Sequence, residues 1–457
     1  MPSCSLHPLP YLADPAGYFS AVRHAPGAVL LDSARPVAER GRFDLLSAWP
    51  LQTFIPAVGE TGEAYLHRLR AGLASLGAAD LPEGCELPFA GGLIGYLAYD
   101  FGRRLEHLPA TREAQFSLPD AQLGLYNWAL ASDHQLQRSY LVFHPSLALP
   151  ERQRLIALFA QPAPRLPQTF SLTEAFANEV SAPAYQRAFA QVQAYIRAGD
   201  TYQINLTRRF AGRCQGDPWG AYQALRAACP TPYSGFMQVD AHTAILSHSP
   251  ERFIRVQGTA VDTRPIKGTR PRRETPEADA AEAAALLASE KDRAENLMIV
   301  DLLRNDLGRS CALGTVRVPE LFALESYPNV HHLVSSVIGQ LAPGKDALDL
   351  LAGSFPGGSV TGAPKIRSMQ IIDELEQQRR AIYCGSLLYL DVRGNLDSSI
   401  AIRTLLIEQD RIACWGGGAV VMDSRAEDEY QESLIKVQVL MATLAALQSD
   451  PAIGDAI

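Results

Sequence analysis

The stretch SAPAYQRAFAQVQAYIRAGDTYQINLTRRFAG, residues 181–212, changes its apolar period from helical to extended within a few residues, and that change decides the fold class. Ser181 is a natural N-cap, Pro183 suits a first helical turn and Gly199 a left-handed stop, so the spacing predicts a helix between them. YQINLTRRFAG then reads as a strand. Moving outward, Thr275-Pro276 is a cap followed by proline at the first helical position. The helix it opens is expected to run to Gly308, with a break near Ser289. IYCGSLLYLDV, SIAIRTLLI and IACWGGGAVV read as strands, and a final helix covers about 426–447. Upstream, GAVLLDSA, GGLIGYLAYDFG and RSYLVFH are short apolar runs separated by Gly, Pro and Asp, so the first third reads as β-rich. The Pro-rich stretch at 162–167 is the expected boundary between regions 1–165 and 166–457. Helices and strands do not alternate as regular βαβ units, which predicts an α+β (complex α/β) architecture with antiparallel sheet.

The chain has 457 residues, 47% hydrophobic and 20% charged, with a formal charge of -8. This is globular composition without the clustered Lys and Arg that phosphate neutralisation requires, so nucleic acid is not the expected partner. Seven scattered cysteines without a C-x-x-C pair fit a reducing cytoplasm. The start shows no export signal and no apolar run reaches membrane-spanning length, so a cytoplasmic protein off the membrane is expected.

Four segments concentrate chemistry-bearing residues: SPERF (249–253), RPIKGTRPR (264–272), EKDRAENLMIVDLLRND (290–306) and DSRAEDEYQESLIK (423–436). Asp292 and Glu295, and likewise Glu429 and Glu432, lie at i and i+3 and share a helical face. Such pairs suit a hard divalent cation; equally they form solvated faces paired with Lys291, Arg293 and Lys436. Lys267, between Pro and Gly, is either a turn lysine or a nucleophile held in a pocket. Glu251 is either a salt-bridge partner of Arg252 or Arg255, or a general acid. GGSVTGAPK (357–365) fails as a phosphate loop, since no Gly-Lys-Ser/Thr ending follows. The glycines of WGGGAVV suit close backbone approach to an anion, or a simple turn. Arg403 among apolar neighbours needs a carboxylate from the protein or a ligand. Gln203 and His332 are weak signals alone.

Taken together, these segments resemble the chorismate-utilising enzymes, the family of anthranilate, isochorismate and salicylate synthases and their relatives. The resemblance covers residues 180–440, through GDTYQINLTRRF, SPERF, PIKGTRPR, DRAENLMIVDLLRNDLGR, YPNVHHLVS, GGSVTGAPKIRSMQIIDELE, YCGSLLYLD, SIAIRT and GGGAVVMDSRAEDEYQES. It extends more loosely to LLDSA, RFDLLSA and GGLIGYLAYDFGRRLE in the N-terminal region. It implies antiparallel sheets forming a sandwich-like core surrounded by helices. It also assigns roles: Mg²⁺ on Glu295 and Glu432 with Asp292 and Glu429 close by, carboxylate anchoring by Arg403, Gly416 and Gly418, and a pocket lined by Gly268 and Thr269 and approached by Gln203 and His332. In PIKGT, a lysine marks the branch that aminates chorismate at C4, where anthranilate and isochorismate synthases typically carry a small residue. Lys267 is therefore expected to attack ring C2 while Glu251 protonates the departing C4 hydroxyl, with ammonia then adding at C4 to give 4-amino-4-deoxychorismate for 4-aminobenzoate and folate. Gln203 stands where isochorismate and salicylate synthases carry a water-activating lysine, which counts against water as the nucleophile. No cysteine sits in a G-x-C-x-G turn, so the ammonia is expected from a separate glutamine amidotransferase subunit. Only LQSDPAIGDAI follows the last helix, so no lyase extension is expected. LLDSA resembles the LLES element with which anthranilate synthases bind tryptophan; Asp32 replaces the glutamate, and Leu31, Asp32 and Ser33 are expected to form a remnant of that pocket. The competing expectations are an anthranilate synthase large subunit and a silent scaffold that binds chorismate or tryptophan.

Overall fold

The computed structural model describes residues 1–35, 41–161, 169–326 and 330–447. The expected boundary segment at 162–167 lies outside them. Two antiparallel sheets carry the fold. In spatial order the larger runs through Ser5–Leu9, Arg138–Phe143, Trp128–Asp133, Phe43–Ser47, Val29–Asp32, Tyr233–Gln238, Thr243–Ser249, Thr404–Glu408, Arg411–Val420 and Gln203–Gln215. The smaller runs from Ile266–Pro271 through Val330–Gln340, Ala260–Thr263, Arg252–Gln257, Leu396–Ser399 and Ser386–Asp391 to Gly92–Leu97, Ala121–Tyr126 and Gln52–Phe54. Each sheet thus combines strands from both sides of residue 165.

Period-two alternation makes the larger sheet apolar on both faces. Val29, Leu45, Ala129, Val142, Met237, Ile245 and Leu406 join a core shared with the smaller sheet. Their neighbours Leu30, Leu46, Leu130, Leu141, Phe236, Leu246 and Leu405 pack under an outer layer that includes Trp219 and Tyr222 of the helix Pro218–Ala228 and Val437, Leu440 and Leu444 of the helix Ala426–Ala445. The result is the expected sandwich with helices outside. No helix among the described residues is long and apolar enough to cross a membrane.

Local signals place several elements. In the helix Ala182–Ala198, the Ser181 hydroxyl accepts the Ala184 N–H and Gly199 closes the end at φ +81°. The break at Ser289 is real: it ends Pro276–Ala288, and its hydroxyl accepts the Asp292 N–H to start Glu290–Gly308. Two readings need correction. SIAIRTLLI is not one strand, because Leu396–Ser399 belongs to the smaller sheet and Thr404–Glu408 to the larger, and residues 400–403 cross between them with Arg403 at φ +50°. The three glycines of WGGGAVV lie within the strand Arg411–Val420, in regular register with Arg208, Thr207 and Leu206, rather than in a turn after it. The first third is β-rich as expected, and its strands are joined by a helix, Gly62–Leu76, capped by Thr61.

Candidate active site

Lys267 and Glu251 meet at one residue. The Lys267 Nζ donates to the Ser359 carbonyl at 3.1 Å, and the Ser359 hydroxyl hydrogen-bonds the Glu251 carboxyl. Ser359 sits in the 3-10 turn Gly358–Val360, so the sequence GGSVTG that fails as a phosphate loop is a turn holding this pair. Glu251 is 6% exposed. Burial pushes its carboxyl above the ordinary range, against the pull of the Lys267 ammonium, the Ser359 hydroxyl and the Ile266 N–H. A carboxyl so placed takes up a proton more readily than an exposed one.

Next to Lys267, Gly268 adopts φ +80°, and a Cβ there would lie 2.8 Å from Leu286 Cδ1 and 2.9 Å from Asp292 Cγ. Only glycine allows the chain to pass at this point. Thr269 pairs with His332 across the sheet, and its hydroxyl meets His332 Nδ1 at 2.9 Å. Burial and the nearby Arg403 bring the His332 imidazole down to about 4, so it is neutral at physiological pH. Arg403 forms no ion pair among the described residues, and its guanidinium faces Cys229 Sγ at 3.9 Å. Gln203 is fully buried, with neither amide atom partnered among the described residues.

The carboxylates of the helices Glu290–Gly308 and Ala426–Ala445 converge around lysines. Lys291 Nζ lies 3.2 Å from Glu429 Oε1 and 3.8 Å from Glu295 Oε1, while Lys436 Nζ lies 2.6 Å from Glu432 Oε1 and donates to the Gly417 carbonyl at 2.8 Å. Burial raises the Glu295 carboxyl, as do the neighbouring Glu429 and Glu432, while Lys267 and Lys291 act downward. At Glu432 burial also acts upward, yet Lys436, Lys291 and Lys267 together hold the carboxyl below its usual range. Gly418 makes room for this group, since a Cβ there would lie 2.6 Å from Glu429 Oε2. At Gly416 a Cβ would lie 1.9 Å from the Ser433 carbonyl, so the last helix packs directly onto the strand backbone.

Asp292 departs from the expected grouping: its carboxylate meets Arg270 at 3.2 Å and lies against Gly268. Among the described residues no three Asp, Glu, His or Cys side chains converge as a ready-made metal cage. The hard oxygen donors of Glu295, Glu429 and Glu432 nevertheless fit Mg²⁺, which keeps waters and uses one or two carboxylates plus substrate oxygens. Lys291 and Lys436 take the ion-pair places that the spacing offered them, whereas Ser359 was not assigned from sequence, where GGSVTG was the one available signal.

At the N-terminal element, Asp32 is 2% exposed and already engaged by Arg226 at 2.6 Å, by the Tyr222 hydroxyl at 2.9 Å and by the Ala34 N–H at 2.6 Å. Ser33 gives both its N–H and its hydroxyl to Asp44 at 2.8 Å. Leu31, beside them, pairs with Gly235. The acidic group of this element is thus fully neutralised within the protein.

Residues 32–442 match the family model described as chorismate binding enzyme. The chain is 45% identical to aminodeoxychorismate synthase component 1 of Klebsiella aerogenes, over 95% of this chain and 98% of that one. It is 44% identical to the protein of the same name from Escherichia coli K12, over 93% and 95%. Its fold superposes with a TM-score of 0.78 on anthranilate synthase component I from Streptococcus pneumoniae, at 30% identity, covering 88% of this chain and 92% of that one.

Proposed function

This chain belongs to the chorismate binding enzyme family, and from that premise we propose how it acts: as aminodeoxychorismate synthase component 1, it aminates chorismate at C4 to give 4-amino-4-deoxychorismate. The observation that carries the mechanism is the Ser359 turn, which fastens the Lys267 amine and the Glu251 carboxyl to the same residue. A nucleophile and a proton donor held together can act on one ring in concert. Lys267, as the free amine, attacks C2; the ring double bonds shift, and the C4 hydroxyl leaves as water with the proton of Glu251. Ammonia then adds at C4, its surplus proton passing to the Glu251 carboxylate, and the lysine departs from C2 as the free amine, which returns the site to its starting state. Two allylic displacements replace one hard substitution.

Arg403, with no carboxylate of the protein paired to it among the described residues, anchors a substrate carboxylate, and we assign main-chain N–H groups near Gly416 and Gly418 the same task. Glu295, Glu429 and Glu432 would hold Mg²⁺, whose contribution when bound is to neutralise charge on the ring carboxylate. Gln203 offers a buried amide and no base, which favours ammonia over water as the second nucleophile. The name component 1 borne by its relatives supports a second subunit, and we assign that subunit the release of ammonia from glutamine. Products of the purified chain with chorismate, Mg²⁺ and ammonium, identified by mass spectrometry beside Lys267→Ala, test this reading. Aminodeoxychorismate that disappears in the variant is expected; anthranilate with pyruvate would overturn it.

A further inference from the structure

Lys291 occupies the space between the two carboxylate-bearing helices. It lies in the first turn of Glu290–Gly308, one turn before Glu295, and its ammonium bridges Glu295 on its own helix to Glu429 on the other. Glu429 is 1% exposed and Glu295 8%, so two nearly buried acids share this cation, with Lys436 serving Glu432. Without it the two nearly buried acids would stand unbalanced beside one another, and like charges repel. Lys291 itself is 47% exposed along a flexible stem. It can leave for solvent without disturbing the core.

We propose that the Lys291 ammonium is a resident counter-cation of this carboxylate group, holding the two helices in place while the divalent site is empty and giving way when Mg²⁺ binds. This rests on the reading that Glu295, Glu429 and Glu432 receive Mg²⁺. The ammonium and a metal bound to the same oxygens cannot coexist, because a metal ligated at ~2.1 Å would repel an ammonium hydrogen-bonded to the same carboxylate. Displacing Lys291 therefore costs part of the metal's binding free energy. In return, the site exchanges one balanced arrangement for another instead of collapsing when empty.

The test is titration of the full-length, metal-stripped chain with MgCl₂ alone by calorimetry, for wild type, Lys291→Met, Lys291→Gln and Glu295→Gln. Circular dichroism confirms the fold of each, and melting is followed with and without Mg²⁺. Both Lys291 variants are expected to bind Mg²⁺ about three- to tenfold more tightly than wild type, to melt lower without metal, and to gain more in melting temperature on adding it. Equal or weaker Mg²⁺ binding in both variants, with wild type and Glu295→Gln clearly separated, overturns the counter-cation role and leaves the metal reading standing. Absence of Mg²⁺ binding by wild type at millimolar concentration overturns both.

Discussion

At the scale of single residues, the site works through a division of labour around Ser359. Its carbonyl orients the Lys267 amine while its hydroxyl touches the Glu251 carboxyl, which burial keeps prone to protonation. Formation of the lysine adduct in the absence of ammonia, followed by intact-protein mass spectrometry against pH, isolates the first displacement. Because Glu251 must carry a proton to donate it, and burial raises its pKa, the rate of adduct formation should fall as pH climbs through that raised value. Glu251→Gln should lower the rate by roughly 10²–10⁴ and abolish this alkaline limb. Ser359→Ala removes a hydrogen bond that favours the charged carboxylate, so its alkaline limb should move further up in pH, with the rate reduced about tenfold. A limb that stays in place in Ser359→Ala would show that the hydroxyl does not govern Glu251.

At the scale of elements, the decisive contact is the last helix lying on the glycine strand. Arg208, 3% exposed, fastens it by donating Nε to Ser433 Oγ and Nη2 to the Tyr430 carbonyl, each at 2.6 Å. A Gly416→Ala methyl would overlap the Ser433 carbonyl, and relief requires moving the helix that carries Glu429 and Glu432. It should cost about 1–3 kcal/mol in urea unfolding and also weaken Mg²⁺ binding, whereas a merely structural defect would leave the affinity of the folded fraction unchanged. This contact also marks how far the sequence could be read. Ser181, Gly199 and Ser289 announce their helix ends because capping is settled within four residues of chain. The glycines 416–418 carry a local signal too, close approach, but what approaches is a helix some fifteen residues on, so the same letters read equally as a turn. Arg403 was legible as a charge in need of a partner. That it sits on a crossover between sheets was not, since SIAIRTLLI has continuous strand character and only pairing across the fold divides it. Ser359 went unseen because a serine gains meaning from Lys267 and Glu251, about a hundred residues away.

At the scale of the whole molecule, the two sheets are tied together by one buried guanidinium. Arg380, 2% exposed, pairs with Glu376 at 2.6 Å, donates to the carbonyl of Asn205 in the larger sheet at 2.6 Å and to that of Val360 in the Ser359 turn at 2.7 Å, and lies over the Tyr99 ring just past a strand of the smaller sheet. Glu376 in turn accepts the Thr207 N–H at 2.9 Å and the Thr207 hydroxyl at 2.8 Å. Removing only the arginine leaves a buried carboxylate facing carbonyls, so Arg380→Met should lose about 3–5 kcal/mol of stability. Replacing both partners, as Arg380→Met with Glu376→Leu, removes the stranded charge and should recover a large part of that loss, though not the hydrogen bonds to Thr207, Asn205 and Val360. Because strands from both sides of residue 165 share one core between the sheets, far-ultraviolet circular dichroism and tryptophan fluorescence should report one coincident urea transition in wild type and in both variants. Separate transitions would mean that the sheets unfold independently. A double variant no more stable than Arg380→Met would mean that the hydrogen bonds of the guanidinium to the main chain, rather than the unpaired carboxylate, account for the loss.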